Sequence, residues 1–309
     1  MKTIKVNFVD FWPNFNKIDN YFFNLLSQKH KVTIDENNPD LLFFSVDYAK
    51  QRERNRYINH SCKKIFYTGE NVRPNFDFGG SIEDPRYSIG KCDYAFTFDH
   101  TLDPRNFRLP LWVLFIDWFE APHNDNRDPS CLISLESLFN RNADPKNKFC
   151  NFVFSNSTGE RLNILDSIQS YKHVDCAGRL RNNMGISIPG RADQQHKIDF
   201  LKDYKFTIAA ENSFYDGYTT EKIIHPLSVG SIPIYWGSST VEADFNKDCF
   251  IDASDFFSFK DLVSYVKMVD YDDALAAQYQ EASVFPNNEI PDSVRPESVL
   301  KFFEENILC

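Results

Sequence analysis

The chain has 309 residues, with 34 Lys plus Arg against 44 Asp plus Glu and a formal net charge of -10. That length suits two domains of ordinary size, and 42% hydrophobic with 25% charged residues is the profile of a chain that buries a core, not of a disordered one. The acidic balance excludes a nucleic-acid binder that grips phosphate backbones by diffuse charge, while an aromatic content of 16%, carried mostly by 30 Phe, predicts a ring-filled core and surfaces suited to sugars.

In chain order, Thr3 to Val9 alternates like a first β-strand, and the lysines at 2 and 5 make the N-terminus too charged for a secretory signal. Ile18 to Gln28 carries apolar residues at helical spacing, and Asp40 to Val46 is a short buried-strand run. Further strands are expected at Lys63 to Thr68, Tyr94 to Phe98 and Leu109 to Asp117. Ala121 to Lys148, with prolines and mixed charge around one possible helix at Leu132 to Phe139, reads as a linker. The second half alternates more cleanly. Strands at Lys148 to Ser155, His173 to Cys176, Lys205 to Ala210, Ser231 to Tyr235 and Cys249 to Ile251 are interleaved with helices at Arg161 to Tyr171, Lys197 to Asp203 and Thr220 to Val229. Phe259 to Ala282 is helical in pattern, and Pro296 to Ile307 looks like a terminal helix. Strands separated by helices imply βαβ units, parallel sheets, and ligands at the strands' C-terminal ends.

Seven scattered cysteines, odd in number and never in a CxxC pair, argue against a disulfide framework or a zinc site and suit reduced thiols. No stretch approaches the roughly 20 apolar residues of a membrane span; the nearest, Leu109 to Phe119, contains Asp117. There is no GxGxxG after the first strand, no P-loop and no GxSxG elbow, so the common dinucleotide, nucleotide and hydrolase readings lack support. The triplet Asp270-Tyr271-Asp272 has a spacing able to hold Mg²⁺ or Mn²⁺, but it lies in a charged helical stretch and reads as helix surface.

The densest polar cluster runs from Glu211 to Lys222, between a strand and the helix that begins near Thr220. A strand, a polar loop and a helix N-terminus in that order form an anion site. Lys222 in the first turn opposes the helix dipole and is expected to be compensated by a bound anion. Thr219 or Thr220 can cap the helix, and Glu221 can accept hydroxyls from a ribose.

The run Tyr204-Lys205-Phe206, Glu211-Asn212-Ser213, Gly217-Tyr218-Thr219-Thr220-Glu221-Lys222-Ile223 and Ile232-Pro233-Ile234-Tyr235-Trp236-Gly237 resembles the donor signature of the α-1,3-fucosyltransferases, glycosyltransferase family 10. Weaker likeness extends through Tyr67-Thr68-Gly69-Glu70-Asn71, Gly178-Arg179-Leu180-Arg181-Asn182 and Asp244-Phe245-Asn246. Thr219 stands where the family has Val or Ile and Ala210 where Phe is common, departures expected to touch no polar role. The resemblance implies a GT-B fold of two Rossmann-like α/β domains facing a cleft: an acceptor domain over 1–147, with the terminal helix (296–309) packing back onto it, and a GDP-fucose domain over 148–295. It implies inverting transfer of L-fucose from GDP-β-L-fucose to the 3-hydroxyl of N-acetylglucosamine in N-acetyllactosamine-type acceptors. Alternatives are another acceptor, an α-1,4 linkage or, more remotely, a non-catalytic sugar-binding protein. Glu70 is the implied catalytic base; Arg181 and Lys222 are the implied diphosphate ligands, with Arg179 competing for the first role. Asn212, Tyr218 and Glu221 are further donor contacts. No metal is required on this reading, although Mn or Mg could stimulate. The expected partners are GDP-fucose and a GlcNAc-containing oligosaccharide, in a cytoplasmic protein with peripheral association at the inner membrane left open. Trp12, Tyr48, Trp112, Trp118 and Phe119 are candidates to stack on the acceptor.

Overall fold

The computed structural model describes residues 2–46, 52–72, 92–119, 127–141, 143–188 and 194–309. It forms two units, one of Met1–Leu114, Phe119–Asp128 and Asp292–Cys309, the other of Phe115–Trp118 and Pro129–Pro291.

In the first unit, β1 (Thr3–Val9), α1 (Tyr21–Ser27), β2 (Lys31–Ile34), β3 (Leu41–Phe44), β4 (Lys63–Tyr67), β5 (Tyr94–Thr97) and β6 (Asn106–Arg108) appear in turn. Among the described residues the strands make one parallel sheet ordered β2-β1-β3-β4-β5-β6. At its centre β3 is the all-apolar run LLFF, buried throughout, as both faces of a parallel sheet are covered. Rings fill the core: Phe8 stacks on Phe43 at 4.9 Å, Phe22 of α1 meets Phe43 at 5.0 Å, and Phe303 stacks on Phe96 at 5.0 Å. Phe303 arrives with the C-terminal segment, whose last turns are fastened by Lys63 Nζ donating to the Ile307 carbonyl at 2.5 Å and Tyr94 Oη to that of Asn306 at 2.5 Å.

Two edge strands, β2 and β6, escape the sequence pattern because they are only four and three residues long and mostly half-exposed. Leu109 to Asp117 is not a strand. Pro110 opens a 3₁₀ turn over Leu111–Phe115, and the run is apolar because it is enclosed on every side. Trp112 is therefore fully buried and cannot stack on a sugar. Trp12 is buried too, its Nε1 donating to Asp128 Oδ2 at 2.5 Å. Trp118 and Phe119 are half-buried, and Tyr48 lies outside the described residues.

The second unit contains α2 (Leu135–Phe139), β7 (Lys148–Asn151), α3 (Gly159–Tyr171), β8 (Val174–Asp175), α4 (Gln194–Leu201), β9 (Tyr204–Ala210), α5 (Glu221–Ser228), β10 (Ile232–Trp236), β11 (Ile251–Asp252), α6 (Phe259–Tyr271) and α7 (Asp273–Glu281). Its parallel sheet is ordered β11-β10-β9-β7-β8. Residues 129–147 pack within this unit, so it begins before residue 148. Ile133 bridges Ile116, α2 packs on α5, Lys146 Nζ donates to the Val229 carbonyl at 2.7 Å, and Arg141 Nη1 to that of Ala282 at 2.6 Å.

The helical stretch expected from Phe259 to Ala282 is broken at Asp272, whose Oδ1 accepts the Leu275 N–H at 3.0 Å and caps α7. Asp270 accepts Tyr171 Oη at 2.8 Å and Lys172 Nζ at 3.0 Å. The Asp-x-Asp triplet thus ends one helix and starts the next. All seven cysteines are free thiols, and no described helix is long and apolar enough to cross a membrane.

After β8 the chain passes so close to Phe154 that a Cβ on Gly178 would lie 2.2 Å from the Phe154 carbonyl oxygen and 2.4 Å from its nitrogen. Both neighbours are backbone and cannot step aside. Gly178→Ala should therefore cost about 1–3 kcal/mol, read as a lower midpoint in thermal unfolding; an unchanged midpoint would contradict this close approach.

Candidate functional site

In an open parallel sheet, ligands bind beyond the strands' C-terminal ends where the strand order reverses. In the second unit that point lies between β7 and β9. Asn151, the last residue of β7, donates through Nδ2 to Thr207 Oγ1 at 2.8 Å and to the Phe206 carbonyl at 3.3 Å. Beyond β9 the ladder runs one residue further, the Glu211 N–H donating to the Trp236 carbonyl at 2.7 Å. This fixes the Glu211 side chain at the mouth of the loop leading to α5.

Glu211 is completely buried. Its Oε1 accepts the Thr220 N–H at 2.8 Å, Thr220 Oγ1 lies 2.8 Å from Oε2, and Lys222 Nζ approaches Oε2 at 3.2 Å. Lys222 Nζ also donates to Thr220 Oγ1 at 2.9 Å, closing a ring of three side chains around the α5 N-terminus. Gly237 makes room for this ring, since a Cβ there would sit 2.5 Å from Glu211 Cγ. The loop is pinned at its middle by Gly217, which adopts φ +80, a conformation that suits glycine. Its N–H points to Ser238 Oγ at 2.8 Å and Thr240 Oγ1 at 2.9 Å. Thr219 departs from its expected silence: its hydroxyl donates to buried Asp244 at 2.9 Å, a bond that Val or Ile could not make.

Two further cations complete the site, and neither stood out in the sequence. Arg161, in the first turn of α3, is only 1% exposed. Its Nη1 donates to the Asn156 carbonyl at 2.9 Å and to Asn212 Oδ1 at 2.8 Å. The guanidinium lies over Phe152 and Phe154, themselves stacked at 4.1 Å. Its Nε has no hydrogen-bond partner in this buried place. Lys197 of α4 has a side chain 14% exposed, with Nζ 3.7 Å from Glu221 Oε1.

Among the described residues of this cluster, three cations (Arg161, Lys197, Lys222) face two carboxylates (Glu211, Glu221). Burial pushes the Glu211 carboxyl up and draws Arg161 and Lys197 down. At Lys222 burial also pulls down, but the Glu211 and Glu221 charges together outweigh it and the ammonium is held above its usual range. Internal carboxylates, which the sequence reading did not foresee, thus lie against the first-turn lysine. Among the described residues of the cluster an excess of one positive charge remains, largely withdrawn from water, at a helix N-terminus, where an anion is stabilised.

Of the residues singled out in the sequence, the structure brings Asn212, Glu221 and Lys222 into this cluster. Tyr218 is 2% exposed, and its phenol contributes to the electrostatic environment of Arg161. Arg181 is not drawn in: it is 57% exposed, 3.6 Å from Asp166 on α3, with φ +52. Arg179 reaches the Ser155 carbonyl at 3.4 Å. Glu70 belongs to the first unit, just past the end of β4. Its N–H donates to Thr68 Oγ1 at 2.9 Å, and Gly69 before it is pressed against Leu111, whose Cδ1 would be 2.8 Å from an added Cβ.

His225 lies one turn beyond Glu221, fully buried, edge-on to Phe115 at 5.1 Å, with neither ring nitrogen hydrogen-bonded. Burial first, then Lys197, holds its pKa well below the usual 6.5. Below pH 6.5 the unfolded chain binds a proton there that the folded chain refuses, so stability falls as pH falls, by up to about 1.4 kcal/mol per pH unit. His225→Leu should flatten that part of the stability profile between pH 6.5 and 5 in denaturant titrations. An unchanged slope would contradict the burial of a neutral imidazole.

The family model for the alpha-(1,3)-fucosyltransferase FucT N-terminal domain matches residues 6–115, and that for the glycosyltransferase family 10 (fucosyltransferase) C-terminal domain matches residues 143–283. The chain is 31% identical over 267 residues to the alpha-(1,3)-fucosyltransferase FucT of Helicobacter pylori, covering 79% of this chain and 52% of that protein. It is 29% identical over 196 residues to GDP-fucose protein O-fucosyltransferase 3 of Rattus norvegicus, covering 60% of this chain and 38% of the relative. The chain thus spans about half the length of the first relative and less of the second. A crystal structure of an alpha1,3-fucosyltransferase with GDP-fucose superposes with a TM-score of 0.70 at 24% identity, covering 99% of this chain and 91% of that one. That likeness places the two parallel-sheet units in the GT-B class. With both family domains matched in order along most of its length, the chain belongs to glycosyltransferase family 10, the fucosyltransferases.

Proposed function

We propose that the chain transfers L-fucose from GDP-β-L-fucose to the 3-hydroxyl of N-acetylglucosamine in N-acetyllactosamine-type acceptors, with inversion at the anomeric carbon. The observation that carries this reading is the buried excess of positive charge at the α5 N-terminus, at the switch point of the second sheet. A sugar joined to a nucleoside diphosphate presents two phosphates to such a place. Membership of the fucosyltransferase family narrows the nucleotide and the sugar to GDP and fucose.

On this reading Lys222 donates to the diphosphate. Arg181 leaves its exposed, long pair with Asp166, which holds it weakly, to do the same. Asn212, oriented by Arg161, together with Tyr218 and Glu221, completes the donor contacts. Glu70 takes the proton of the acceptor hydroxyl as that oxygen attacks fucose C1 from the face opposite GDP. The C1–O bond to the diphosphate breaks, and its electron pair leaves on GDP. The charge that builds there meets side-chain cations and the positive end of α5, so the step needs no metal ion. The first unit, carrying Glu70, is the acceptor domain. A second reading keeps the donor and changes the acceptor to a protein hydroxyl, and it is favoured by the likeness to a protein O-fucosyltransferase.

Glu70→Gln should lower turnover by about 10²- to 10⁴-fold while GDP binding persists; near-normal turnover would remove Glu70 from the reaction. Lys222→Ala should weaken GDP binding by about 10- to 100-fold in calorimetry, and unchanged binding would dismiss it as a diphosphate ligand. Transfer from GDP-fucose to type 1 and type 2 disaccharides, with linkage analysis of the product, should give an α-1,3 fucoside of the type 2 acceptor and should survive EDTA. An α-1,4 product, fucosylated protein alone, or a complete loss with EDTA that Mn²⁺ restores would each contradict a part of the proposal.

A further inference from the structure

Lys197 has no assigned part in the account above, yet its position is hard to explain as packing alone. Its side chain is largely buried, and it comes from α4, a different element from the carboxylate it faces. A lysine ammonium removed from water with an ion-pair partner as far as 3.7 Å costs stability rather than adding it. The geometry of that partner is informative. Glu221 Oε1 stands 3.7 Å from Lys197 Nζ and 3.5 Å from Lys222 Nζ, so one carboxylate oxygen is shared between two ammonium groups. Lys222 also holds Glu211 Oε2 at 3.2 Å. Both carboxylates of the cluster thus lie within ion-pair reach of Lys222, and Lys197 takes a share of the second. His225 stands one turn beyond Glu221 on the same helix, buried and edge-on to Phe115.

We infer that Lys197 is a positioning residue of the donor site: it holds the Glu221 carboxylate where the ribose hydroxyls of a nucleoside diphosphate bind, and leaves Lys222 to the diphosphate. The inference rests on the donor reading above and adds a division of labour to it. A carboxylate held between two ammonium groups keeps one orientation, which is what a hydroxyl acceptor must do. The electrostatic environment agrees. Burial first draws the Lys197 ammonium below its usual range, Glu221 opposes this, and the like charge of Lys222 adds to the lowering.

The test is calorimetric titration of the full chain with GDP, 2′-deoxy-GDP, 3′-deoxy-GDP and pyrophosphate. The unaltered protein should prefer GDP over at least one deoxy analogue by about 10-fold or more. Glu221→Gln should abolish that preference. Lys197→Met should abolish it as well, while pyrophosphate binding falls far less than in Lys222→Ala, and Lys197→Arg should restore it. In turnover, Lys197→Met should raise KM for GDP-fucose and leave kcat within a few-fold. Thermal unfolding of each variant checks that it is folded, and the arginine variant carries the test if the methionine one is not: an arginine variant without the preference would then overturn the inference. Retained preference in Lys197→Met, or in Glu221→Gln, would also overturn it. So would a loss of pyrophosphate binding in Lys197→Met equal to that of Lys222→Ala, which would make Lys197 a phosphate ligand. Absence of any GDP binding by the unaltered protein would overturn the donor reading and this inference with it.

Discussion

The ring formed by Glu211, Thr220 and Lys222 is the constraint on which the second unit's site depends. A fully buried carboxylate is tolerable only if its oxygens are occupied, and here a backbone N–H, a hydroxyl and an ammonium occupy them. Each demand reaches into the sequence. Gly237 is needed because any side chain would strike Glu211, Gly217 because the loop turns through positive φ, and Thr220 because its hydroxyl both caps α5 and closes the ring. The charge geometry of the site follows from this packing. Lys222 cannot swing away without stranding Glu211, so it is pre-placed at the helix N-terminus before a ligand arrives.

The first unit solves a different problem with rings. Of the thirty phenylalanines in the chain, several in this unit form a continuous path from Phe8 through Phe43 and Phe22 to Phe96, with Phe303 arriving from the far end of the chain. Edge-to-face and offset pairs of this kind add to the burial of area and fix relative orientation. Rigidity at the strand ends is the useful product. Glu70 stands on a turn whose hydrogen bonds and close contact with Leu111 leave its backbone little freedom.

Much of this was legible in the sequence, for identifiable reasons. The βαβ alternation of the second half is long and regular, and the loop from Glu211 to Lys222 falls between a strand and a helix that this alternation already marks. What could not be read depends on burial by distant segments. Arg161 sits in the first turn of a helix, where an arginine is ordinarily solvated; two stacked phenylalanines before it and Asn212 fifty-one residues later draw it inside. Lys197 lies in a polar stretch, QQHKIDFL, with nothing to mark it until α5 packs against α4. Leu109 to Asp117 misleads because a run enclosed on all sides has no period to distinguish turn from strand. The first-turn lysine points in sequence to a bound anion, and a linear motif does not reveal that Glu211 folds back to lie against it. Arg181 and Arg179 are separated only by a left-handed backbone step at Arg181, which no pattern of residue types encodes.

The claim that carries the rest is that the excess positive charge around Lys222 exists to hold a nucleoside diphosphate. A crystal structure of the chain with GDP tests it most directly. The account predicts the diphosphate within hydrogen-bond distance of Lys222 Nζ at the α5 N-terminus, with Arg181 released from Asp166 and Lys197 still beside Glu221. A diphosphate bound elsewhere, with Lys222 contacting only Glu211 and Thr220, would contradict it.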